Sequence, residues 1–558
     1  MSRLMHHLLD EAAARRPDGD AVRCGGDALT WGALATRAHG LAHRLRALGV
    51  RRHDRVAVFL AKGLDVSVAF YGVLATGGVL VPIDPKSPPQ QIARILDAVD
   101  ARHVVTEPRR AGALAAALAL LAEAGRQPVE QVVGLDADGL DGLVDGLGVT
   151  PPACLPWSVL EHASSAPDVR VLEDDASYVL HTSGSTGMPK LIRHTHATAR
   201  AFVDWAADEY RLTADDRLSN HSSHHTCFAT FDYYAAARAA ATTVILTPAV
   251  MMMPGSLSAL LESEGVSVWY SVPTALVQLS LRGLLDERDL GALRWVLFAG
   301  ETFPPKHLQR LRAQLPAARF SHVYGSTEVN VCTYFHVPSQ STAGGSDPEH
   351  EVDPESGGAG LPIGRPCANA EALVVDDELE PVPDGTVGEL LIRGATVMSG
   401  YWDDDAKNAH ALVRIPAPGG FERTFFRTGD RVRWLPSGDL AFGGRADLQV
   451  KVRGHRVELE EVEAALLRVD GVDEAVVVTL PDGEGSLALH AAVVVAERLQ
   501  ADPAAADGIV GALRTLLPPH AVPARVAVRD ALPRTPTGKV DRRAVRRDAT
   551  SPDTGETT

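Results

Sequence analysis

The sequence predicts an α/β fold of doubly wound, mostly parallel sheets, with a small β-barrel subdomain and a small mobile α+β domain at the C-terminus. Short β-branched segments such as RVAVFLA (55–61), TTVILTP (242–248) and LRWVLFAGE (293–301) alternate with longer Ala- and Leu-rich segments, which is typical of βα units. At 558 residues the chain exceeds one hydrophobic core, so several domains are expected. In such sheets, ligand sites lie where strands end and loops begin.

The large N-terminal domain is predicted to cover residues 1–445. Within it, residues 339–366 are rich in Gly, Ser, Pro and acidic residues and predict an excursion on the surface. The segments EALVVDD (371–377) and GELLIRG (388–394) follow, with turn residues between them. This pattern predicts an antiparallel, barrel-like subdomain over about 350–445.

A lid domain is predicted over residues 446–548. The segments AVVVTL (475–480) and LHAAVVVA (489–496) are typical of strands in a compact α+β unit. The last residues, 549–558, are polar and are expected to form a disordered tail.

Composition limits the possible partners and compartments. The net charge of −17 argues against nucleic-acid binding and against an anionic membrane surface, because both need a broad basic face. No apolar run approaches the length of a membrane span, and the start lacks the apolar core of a signal peptide. The 5 cysteines are scattered without CxxC spacing, which favours reduced thiols and a cytoplasmic location.

The segment TSGSTGMPK (182–190) concentrates groups that bind phosphate, directly after the apolar strand SYVLH (177–181). Glycines allow backbone N–H groups to converge on an anion, hydroxyls add donors, and Lys190 adds positive charge. The spacing does not match the P-loop pattern GxxxxGK[ST]. A flexible surface turn is the alternative, and the residues alone favour a nucleotide phosphate.

This segment closely resembles the phosphate-binding loop of the AMP-forming adenylate ligases, which include acyl-CoA synthetases, luciferases and adenylation domains of nonribosomal peptide synthetases. The motif VYGSTEVNVCTYF resembles the family's YGPTE segment, with Ser326 in place of proline. The other motifs of that superfamily follow in order over nearly the whole chain: LTWGALATRA (29–38), LATGGVLVPIDPKSP (74–88), VYGSTEVNVCTYF (323–335), GELLIRG (388–394), FFRTGDRVRW (425–434), GRADLQVKVRGHRVELEEVE (444–463) and PRTPTGKVDRRAV (533–545).

The resemblance implies that a carboxylate attacks the α-phosphorus of ATP and displaces pyrophosphate, with alignment and charge neutralisation supplying the catalysis. Lys190 and the loop hydroxyls would hold the outer phosphates, and Thr327 the α-phosphate. Glu328 would ligate Mg²⁺, and Lys539 would reach the reacting carboxylate and phosphate. The other residues of the implied ATP site are Thr182, Ser183, Gly184, Ser185, Thr186, Gly187, Gly300, Glu301, Tyr324, Gly325, Asp430 and Arg445.

Several of these residues carry a specific implied role. Tyr324 would offer a flat face to adenine, with the backbone of residues 299–301 at the adenine edge. Asp430 would accept hydrogen bonds from both ribose hydroxyls, and Arg445 would contact ribose or phosphate. Taken in isolation, a tyrosine is more often packed in a core and an Asp in RTGD more often forms a turn.

The resemblance also implies a rotation of the lid between two half-reactions. Asp447 occupies the family's hinge position, so Lys539 would leave the site as the VRGHR segment arrives. Gly454 would line the entrance for a pantetheine arm, where a side chain would block the thiol.

The resemblance is closest to the peptide-synthetase branch that activates amino acids, and the sequence shows no carrier module after Lys539. We therefore expect a freestanding enzyme that charges the phosphopantetheine thiol of a separate carrier protein. The alternative is an acyl-CoA ligase that uses CoA as the thiol.

The acid-binding segment departs from the family pattern. The family's α-amino-acid enzymes carry an Asp that binds the substrate ammonium, and counting back from TTVIL puts Phe228 at that position. Asp232 follows four residues later, one helical turn along, which favours a β-amino acid. An α-amino or imino acid, an aryl acid, and a structural role for Asp232 remain alternatives. The rest of the implied pocket is Tyr270, Leu297, Ala299, Val323, Val331 and Cys332.

Overall fold

Two mixed sheets dominate the computed structural model and confirm the predicted α/β class. The structure describes residues 4–136, 138–145, 150–159, 162–182, 188–338, 361–417, 419–445, 449–482, 486–500, 504–534 and 540–550. In this part of the chain, no helix is both long enough and apolar enough to cross a membrane.

The first 209 residues alternate strands with helices, as the sequence predicts. The strands are β1 (Asp20–Cys24), β2 (Asp27–Thr30), β3 (Arg55–Phe59), β4 (Val79–Pro82), β5 (His103–Thr106), β6 (Gln131–Val133), β7 (Ala153–Leu155), β8 (Ala176–Thr182) and β9 (Lys190–Thr195). The helices are α1 (His7–Arg15), α2 (Trp31–Ala47), α3 (Leu64–Ala75), α4 (Pro89–Ala98), α5 (Ala111–Glu123), α6 (Asp141–Val144) and α7 (His196–Glu209).

The middle of the chain continues this alternation. Its strands are β10 (Arg217–Asn220), β11 (Thr242–Ile245), β12 (Val268–Ser271), β13 (Trp295–Phe298), β14 (Arg319–Tyr324) and β15 (Thr333–Val337). Its helices are a π-helix (Thr230–Ala235), α8 (Ala236–Ala239), α9 (Pro248–Met251), α10 (Pro254–Ser263), α11 (Pro273–Arg282) and α12 (Pro305–Gln314).

The last part of the chain has longer antiparallel strands and fewer helices. The strands are β16 (Arg365–Pro366), β17 (Ala370–Val375), β18 (Gly388–Gly394), β19 (Gly400–Tyr401), β20 (Leu412–Ala417), β21 (Phe421–Trp434), β22 (Leu440–Arg445), β23 (Gln449–Val452), β24 (His455–Glu458), β25 (Val472–Pro481), β26 (Leu487–Val495) and β27 (Arg525–Val528). The helices are α13 (Asp405–Ala411), α14 (Leu459–Leu466), α15 (Glu497–Gln500), α16 (Ala505–Leu516) and α17 (Arg542–Thr550).

These strands assemble into separate sheets. One large sheet has the order β19-β9-β8-β4-β3-β5-β6-β7, and the other has the order β16-β15-β14-β13-β12-β10-β11-β1-β2. Strands β17, β18, β20, β21 and β22 form the antiparallel sheet that the sequence predicts as barrel-like. In the lid, β23 and β24 form a hairpin, and β25, β26 and β27 form a separate sheet.

One hydrophobic cluster joins the two large sheets. It contains Val56 of β3 and Leu297 of β13, together with Phe70 and Tyr71 of α3. Because α3 is packed on all sides, ten of its residues are buried, and its sequence is apolar around the whole helix. The shared core places the carboxyl ends of β8, β12, β13 and β14 near one another, where a ligand site is expected.

The start of the tail at residue 549 stays a prediction. Helix α17 continues through Thr550, because the Thr550 hydroxyl donates to the carbonyl oxygens of Arg546 and Arg547 at 3.2 and 2.8 Å. Residues 551–558 lie outside the described chain, as do residues 339–360 of the surface excursion. The domain boundary at 445/446 stays a prediction.

Candidate functional site

The site lies where the strands of both sheets end and the β23–β24 hairpin of the lid covers them. Lys190 begins β9, and Tyr324 ends β14. The residues Gly325, Thr327 and Glu328 follow β14, and Gly300 and Glu301 follow β13. The structure thus brings these sequence-predicted residues to the same edge, together with the VRGHR segment and with Glu458, to which the sequence assigned no role.

Glu328 is fully buried and is paired with a lid arginine. Its two carboxylate oxygens accept hydrogen bonds from Arg456 Nη1 at 2.8 and 2.7 Å, and Tyr401 donates its hydroxyl at 3.0 Å. Burial alone would raise the pKa of Glu328, but the charge and hydrogen bonds of Arg456 lower it to about 2. With Arg456 beside it, Glu328 is therefore ionised, and the guanidinium compensates its charge.

Lys190 is paired with a carboxylate of the same hairpin. Its Nζ lies 2.5 Å from Glu458 Oε1, and both side chains are largely buried. Gln449 donates its side-chain amide to the same carboxylate oxygen. The lid thus places the cation of Arg456 on Glu328, the predicted metal ligand. It places the anion of Glu458 on Lys190, the predicted phosphate-binding lysine.

Glu301 connects the large domain to the lid. One carboxylate oxygen accepts from the backbone N–H and hydroxyl of Thr274 at 3.1 and 2.5 Å. The other accepts from the backbone N–H of Gly454 at 2.5 Å and from the Ser486 hydroxyl at 3.3 Å. The side chain of Glu301 therefore holds the hairpin turn in place, in addition to the adenine-edge role predicted for its backbone.

Gly454 sits in the hairpin turn with a backbone conformation that favours glycine. Its φ is +80°, and a Cβ atom there would lie 2.5 Å from Cγ1 of Val272. A real Cβ does not approach another carbon this closely, so a side chain at this position would push the hairpin away from Val272.

Tyr324, Asp430 and Arg445 form a second polar group at the site. The Tyr324 hydroxyl donates to Asp430 Oδ2, and Arg445 Nη1 donates to Oδ1 at 2.6 Å. Burial raises the pKa of Asp430, while Arg445 opposes that shift. The ammonium of Lys451, on β23, faces the same carboxylate, and burial lowers its pKa.

Seven of the sequence-predicted site residues lie outside the described chain: Ser183, Gly184, Ser185, Thr186, Gly187, Asp447 and Lys539. Their roles remain predictions. Thr182, which starts the loop, is described, and its hydroxyl is buried without a hydrogen-bond partner among the described residues. Arg534 and Val540, on either side of the Lys539 loop, form a β-bridge with each other.

Most of the predicted acid pocket belongs to a single apolar cluster. The ring of Phe228 packs on that of Tyr270 with centroids 4.6 Å apart. The cluster also contains Leu297, Ala299, Val323 and Val331.

Cys332 lies apart from this group, in the cluster between Tyr324 and the β-barrel sheet. Its thiol points to the Tyr324 carbonyl oxygen at 3.6 Å. Burial raises the pKa of the Cys332 thiol, which fits a packing role rather than a nucleophile.

Asp232 is completely buried in the π-helix, about one turn after Phe228. Its Oδ2 accepts from the Asn220 side-chain amide at 2.9 Å. Its Oδ1 has no hydrogen-bond partner within the described chain. Burial raises the pKa of Asp232, and a nearby cation would favour its ionised form.

Lys62 acts electrostatically on this carboxylate, and the sequence did not indicate a role for it. Its Nζ donates to the carbonyl oxygens of Asn220 and His221 at 2.7 and 2.9 Å. Burial lowers the pKa of Lys62, and the charge of Asp232 opposes that shift. No local sequence pattern marks Lys62, because it lies 170 positions before Asp232.

Histidines from both domains gather beside the site. We call this group the histidine cluster; it consists of Asp84, His181, His224, His225, His455 and His520. The rings of His181 and His225 stack with centroids 5.4 Å apart, and the lid residues His455 and His520 stack at 3.9 Å. Burial lowers the pKa of His181 to about 4 and that of His225 to about 3.

The comparisons with known proteins agree with this geometry. The sequence model of the AMP-binding enzyme family matches residues 9–402, and the model of the AMP-binding enzyme C-terminal domain matches residues 461–539. The L-proline--[L-prolyl-carrier protein] ligase of Pseudomonas fluorescens is 34% identical over 546 residues, which cover 98% of this chain and 99% of that protein.

Two further proteins are similar over nearly the whole chain. The L-proline--[L-prolyl-carrier protein] ligase of Streptomyces coelicolor is 33% identical and covers 94% of this chain and 93% of its own length. The solved structure of the amide bond synthetase McbA from Marinactinospora thermotolerans has a TM-score of 0.81 at 26% identity, over 98% of this chain and 99% of that chain.

The histidine cluster predicts that stability falls on acidification. The folded protein keeps these imidazoles neutral, with pKa values of about 4 for His181 and His224 and about 3 for His225. The unfolded chain protonates histidine near pH 6.5. Between about pH 6.5 and 4 the unfolded state therefore binds more protons, and the free energy of unfolding decreases as pH falls.

Urea unfolding at pH 7, 6 and 5 checks this prediction. We expect His225→Gln to flatten the dependence by up to about 1.4 kcal/mol per pH unit, the value for one proton. His410→Gln, at an exposed position of α13, should keep the wild-type dependence. Identical pH dependence in His225→Gln and the wild type would contradict the assignment.

Proposed function

The chain belongs to the AMP-binding enzyme family as an AMP-forming ligase, and on that premise we propose that it loads an amino acid onto a carrier protein. In the first half-reaction the carboxylate of the amino acid attacks the α-phosphorus of ATP, giving an aminoacyl-AMP and pyrophosphate. In the second, the phosphopantetheine thiol of a carrier protein attacks the acyl carbon and AMP leaves.

The observation that carries the proposal is the seated β23–β24 hairpin, which supports the second half-reaction directly. Arg456 and Glu458 contact Glu328 and Lys190 directly, and the backbone of Gly454 is held by Glu301 at the edge of the site. A lid that enters the site in this way can bring new groups to an acyl-AMP after pyrophosphate has gone.

The residues present fit ATP and a divalent cation. The Thr182 hydroxyl is a buried donor without a partner in the described chain, at the start of the phosphate loop. Lys190 supplies a cation and Glu328 supplies a hard oxygen ligand of the kind that Mg²⁺ prefers. When bound, Mg²⁺ would neutralise the charge of the outgoing phosphates.

The chain's own residues would align the reactants. Asp430 would bind the ribose hydroxyls, because its carboxylate is fixed at the edge of the site by Tyr324 and Arg445. Thr327 is fixed through its carbonyl oxygen, which lies 2.8 Å from His194 Nε2, and its side chain, which contacts the Cys227 thiol here, would turn to the α-phosphate. Lys539 would contact the reacting carboxylate when the lid turns its other face to the site.

For the substrate we propose an amino acid whose ammonium binds Asp232, with a β-amino acid favoured. The position usual for an α-ammonium partner is taken by the apolar Phe228, whose ring packs on Tyr270. Asp232 lies about one turn further on and has a buried oxygen that lacks a partner in the described chain. An ammonium displaced by one carbon along the substrate would meet a carboxylate displaced along the helix.

An α-imino acid is the second candidate, and the names of two relatives support it. Two proteins of at least 33% identity over nearly the whole chain are L-proline ligases. Proline also has a cationic nitrogen. Asp232 would pair with it if the pyrrolidine ring lay closer to Asp232 than the α-carbon of other amino acids does.

ATP–pyrophosphate exchange over matched acids tests the function. The panel compares 3-amino acids, L-proline with other 2-amino acids, and aryl acids without an ammonium. Exchange only with 3-amino acids supports the favoured substrate, and exchange only with L-proline supports the second candidate. Folded protein that gives no exchange with any acid contradicts the adenylation itself.

We expect Asp232→Asn to lower exchange with amino acids by about a hundredfold or more, because the substrate ammonium would be buried without a counter-charge. Exchange with any aryl acid that the wild type accepts should change only a few-fold. Asp439→Asn is the matched control, because Asp439 is a buried carboxylate in the turn between β21 and β22 and pairs with Arg365. Full amino-acid activity in Asp232→Asn would remove the proposed ammonium role.

We expect Gly454→Ala to separate the two half-reactions. The added Cβ would meet Val272 at 2.5 Å, so the hairpin cannot seat and thioester formation on a carrier protein should fall at least about tenfold. Exchange should stay within about twofold of wild type, because that step does not use the seated hairpin.

Two variants control for backbone strain and for the contact itself. Gly438→Ala places alanine at φ +79° with no atom within 4 Å of the new Cβ, so it carries the strain without the clash. Val272→Ala in the Gly454→Ala background removes the clashing methyl groups and should restore part of the transfer rate. Equal transfer by Gly454→Ala and wild type would show that the seated hairpin is not needed.

A further inference from the structure

The hairpin strand β24 carries a cation and an anion that face the two most important charges of the site. Arg456 and Glu458 are two positions apart on one strand, so their side chains point to the same side. Arg456 binds both oxygens of Glu328, and Glu458 binds the ammonium of Lys190. The cation of β24 therefore lies on the anion of the large domain, and the anion of β24 lies on its cation.

We propose that Arg456 and Glu458 replace Mg²⁺ and the outgoing phosphates at Glu328 and Lys190, so that the seated hairpin and Mg²⁺–pyrophosphate exclude each other. This inference rests on the roles given to Glu328 and Lys190 in the proposed function. Arg456 and Glu458 are positioning residues in it: they hold the lid for the thiol step and touch no reacting atom.

Burial explains why such replacement is needed. Glu328 is fully buried, and the side chain of Lys190 is only 15% exposed. An ionised group left in such a place without a partner is strongly unfavourable. With the hairpin seated over them, Glu328 and Lys190 would be an unpaired carboxylate and an unpaired ammonium if β24 carried no partner for them. The hairpin supplies both partners at once.

The neighbouring contacts support the exchange. Tyr401 donates its hydroxyl to Glu328 at 3.0 Å, and Gln449 donates its amide to Glu458. Each carboxylate thus has a neutral donor from its own domain as well as the cation from the other domain. The neutral donors stay with their carboxylates when the hairpin leaves, and only the charged partners are exchanged.

The binding of pyrophosphate in the presence of Mg²⁺, measured by calorimetry, tests the proposal. The hairpin must leave before the ligand binds, so the apparent Kd is the intrinsic Kd divided by the fraction of open molecules. A hairpin seated nine-tenths of the time weakens binding about tenfold. Arg456→Ala should therefore bind Mg²⁺–pyrophosphate several-fold to tenfold more tightly than wild type.

The sign of this effect is diagnostic. Removing a cation next to an anion site ordinarily weakens anion binding, and competition by the hairpin is what reverses the expectation. Arg456→Lys, which keeps the cation, should stay closer to wild type. Arg453→Ala is the matched control, because Arg453 lies in the same hairpin but is 62% exposed and faces Asp482 at 3.8 Å.

Glu458→Gln is a second, shape-conserving variant. It releases Lys190 and should also tighten binding of Mg²⁺–pyrophosphate. In both variants, transfer to the carrier protein should fall while exchange is retained, which a general loss of folding would not produce. Weaker or unchanged binding in Arg456→Ala, relative to wild type and Arg453→Ala, would overturn the proposal.

The calorimetric result does not depend on turnover. If no acid supports exchange, the proposed function fails, and the order of the Kd values still decides whether the hairpin competes with the ligand.

Discussion

The arrangement of the site follows from the complete burial of Glu328. An ionised carboxylate without access to water is strongly unfavourable unless a cation or hydrogen-bond donors compensate its charge. Arg456 meets that requirement in this structure, and its charge keeps the pKa of Glu328 at about 2. Strand β24, the Tyr401 hydroxyl and the segment after β14 that carries Glu328 all meet at this ion pair.

The same requirement explains why two domains are needed. The large sheets end at a common edge, where they place the charged groups of Glu328 and Lys190. Within the described chain, the ion-pair partners of these two groups come from the lid. The lid contributes Arg456, Glu458 and the backbone N–H of Gly454, while Glu301 binds Thr274 of the large domain as well as the lid. The domain interface and the site are therefore one structure, and movement of the lid changes the electrostatics of the site.

The sequence predicted the fold class and the strand ends because those depend on local patterns. The alternation of β-branched and helical segments identified β3, β11 and β13, and the order of the motifs identified Lys190 and Glu328. The sequence RVE indicates that Arg456 and Glu458 share one face of a strand, but their partners in the large domain could not be inferred from it. The Lys62 contact could not be inferred either, because it depends on how β10 packs against the loop after β3.

Lys62 also bears on how the acid pocket works. Asp232 is buried and its ordinary tendency there is to take up a proton, which would leave it unable to attract an ammonium. Lys62 is anchored to the carbonyl oxygens of Asn220 and His221, and Asn220 also donates to Asp232. This chain of contacts places a fixed cation near the carboxylate without occupying its free oxygen. Asn220 and Lys62 thus oppose the effect of burial on the Asp232 carboxylate, while Oδ1 has no hydrogen-bond partner within the described chain.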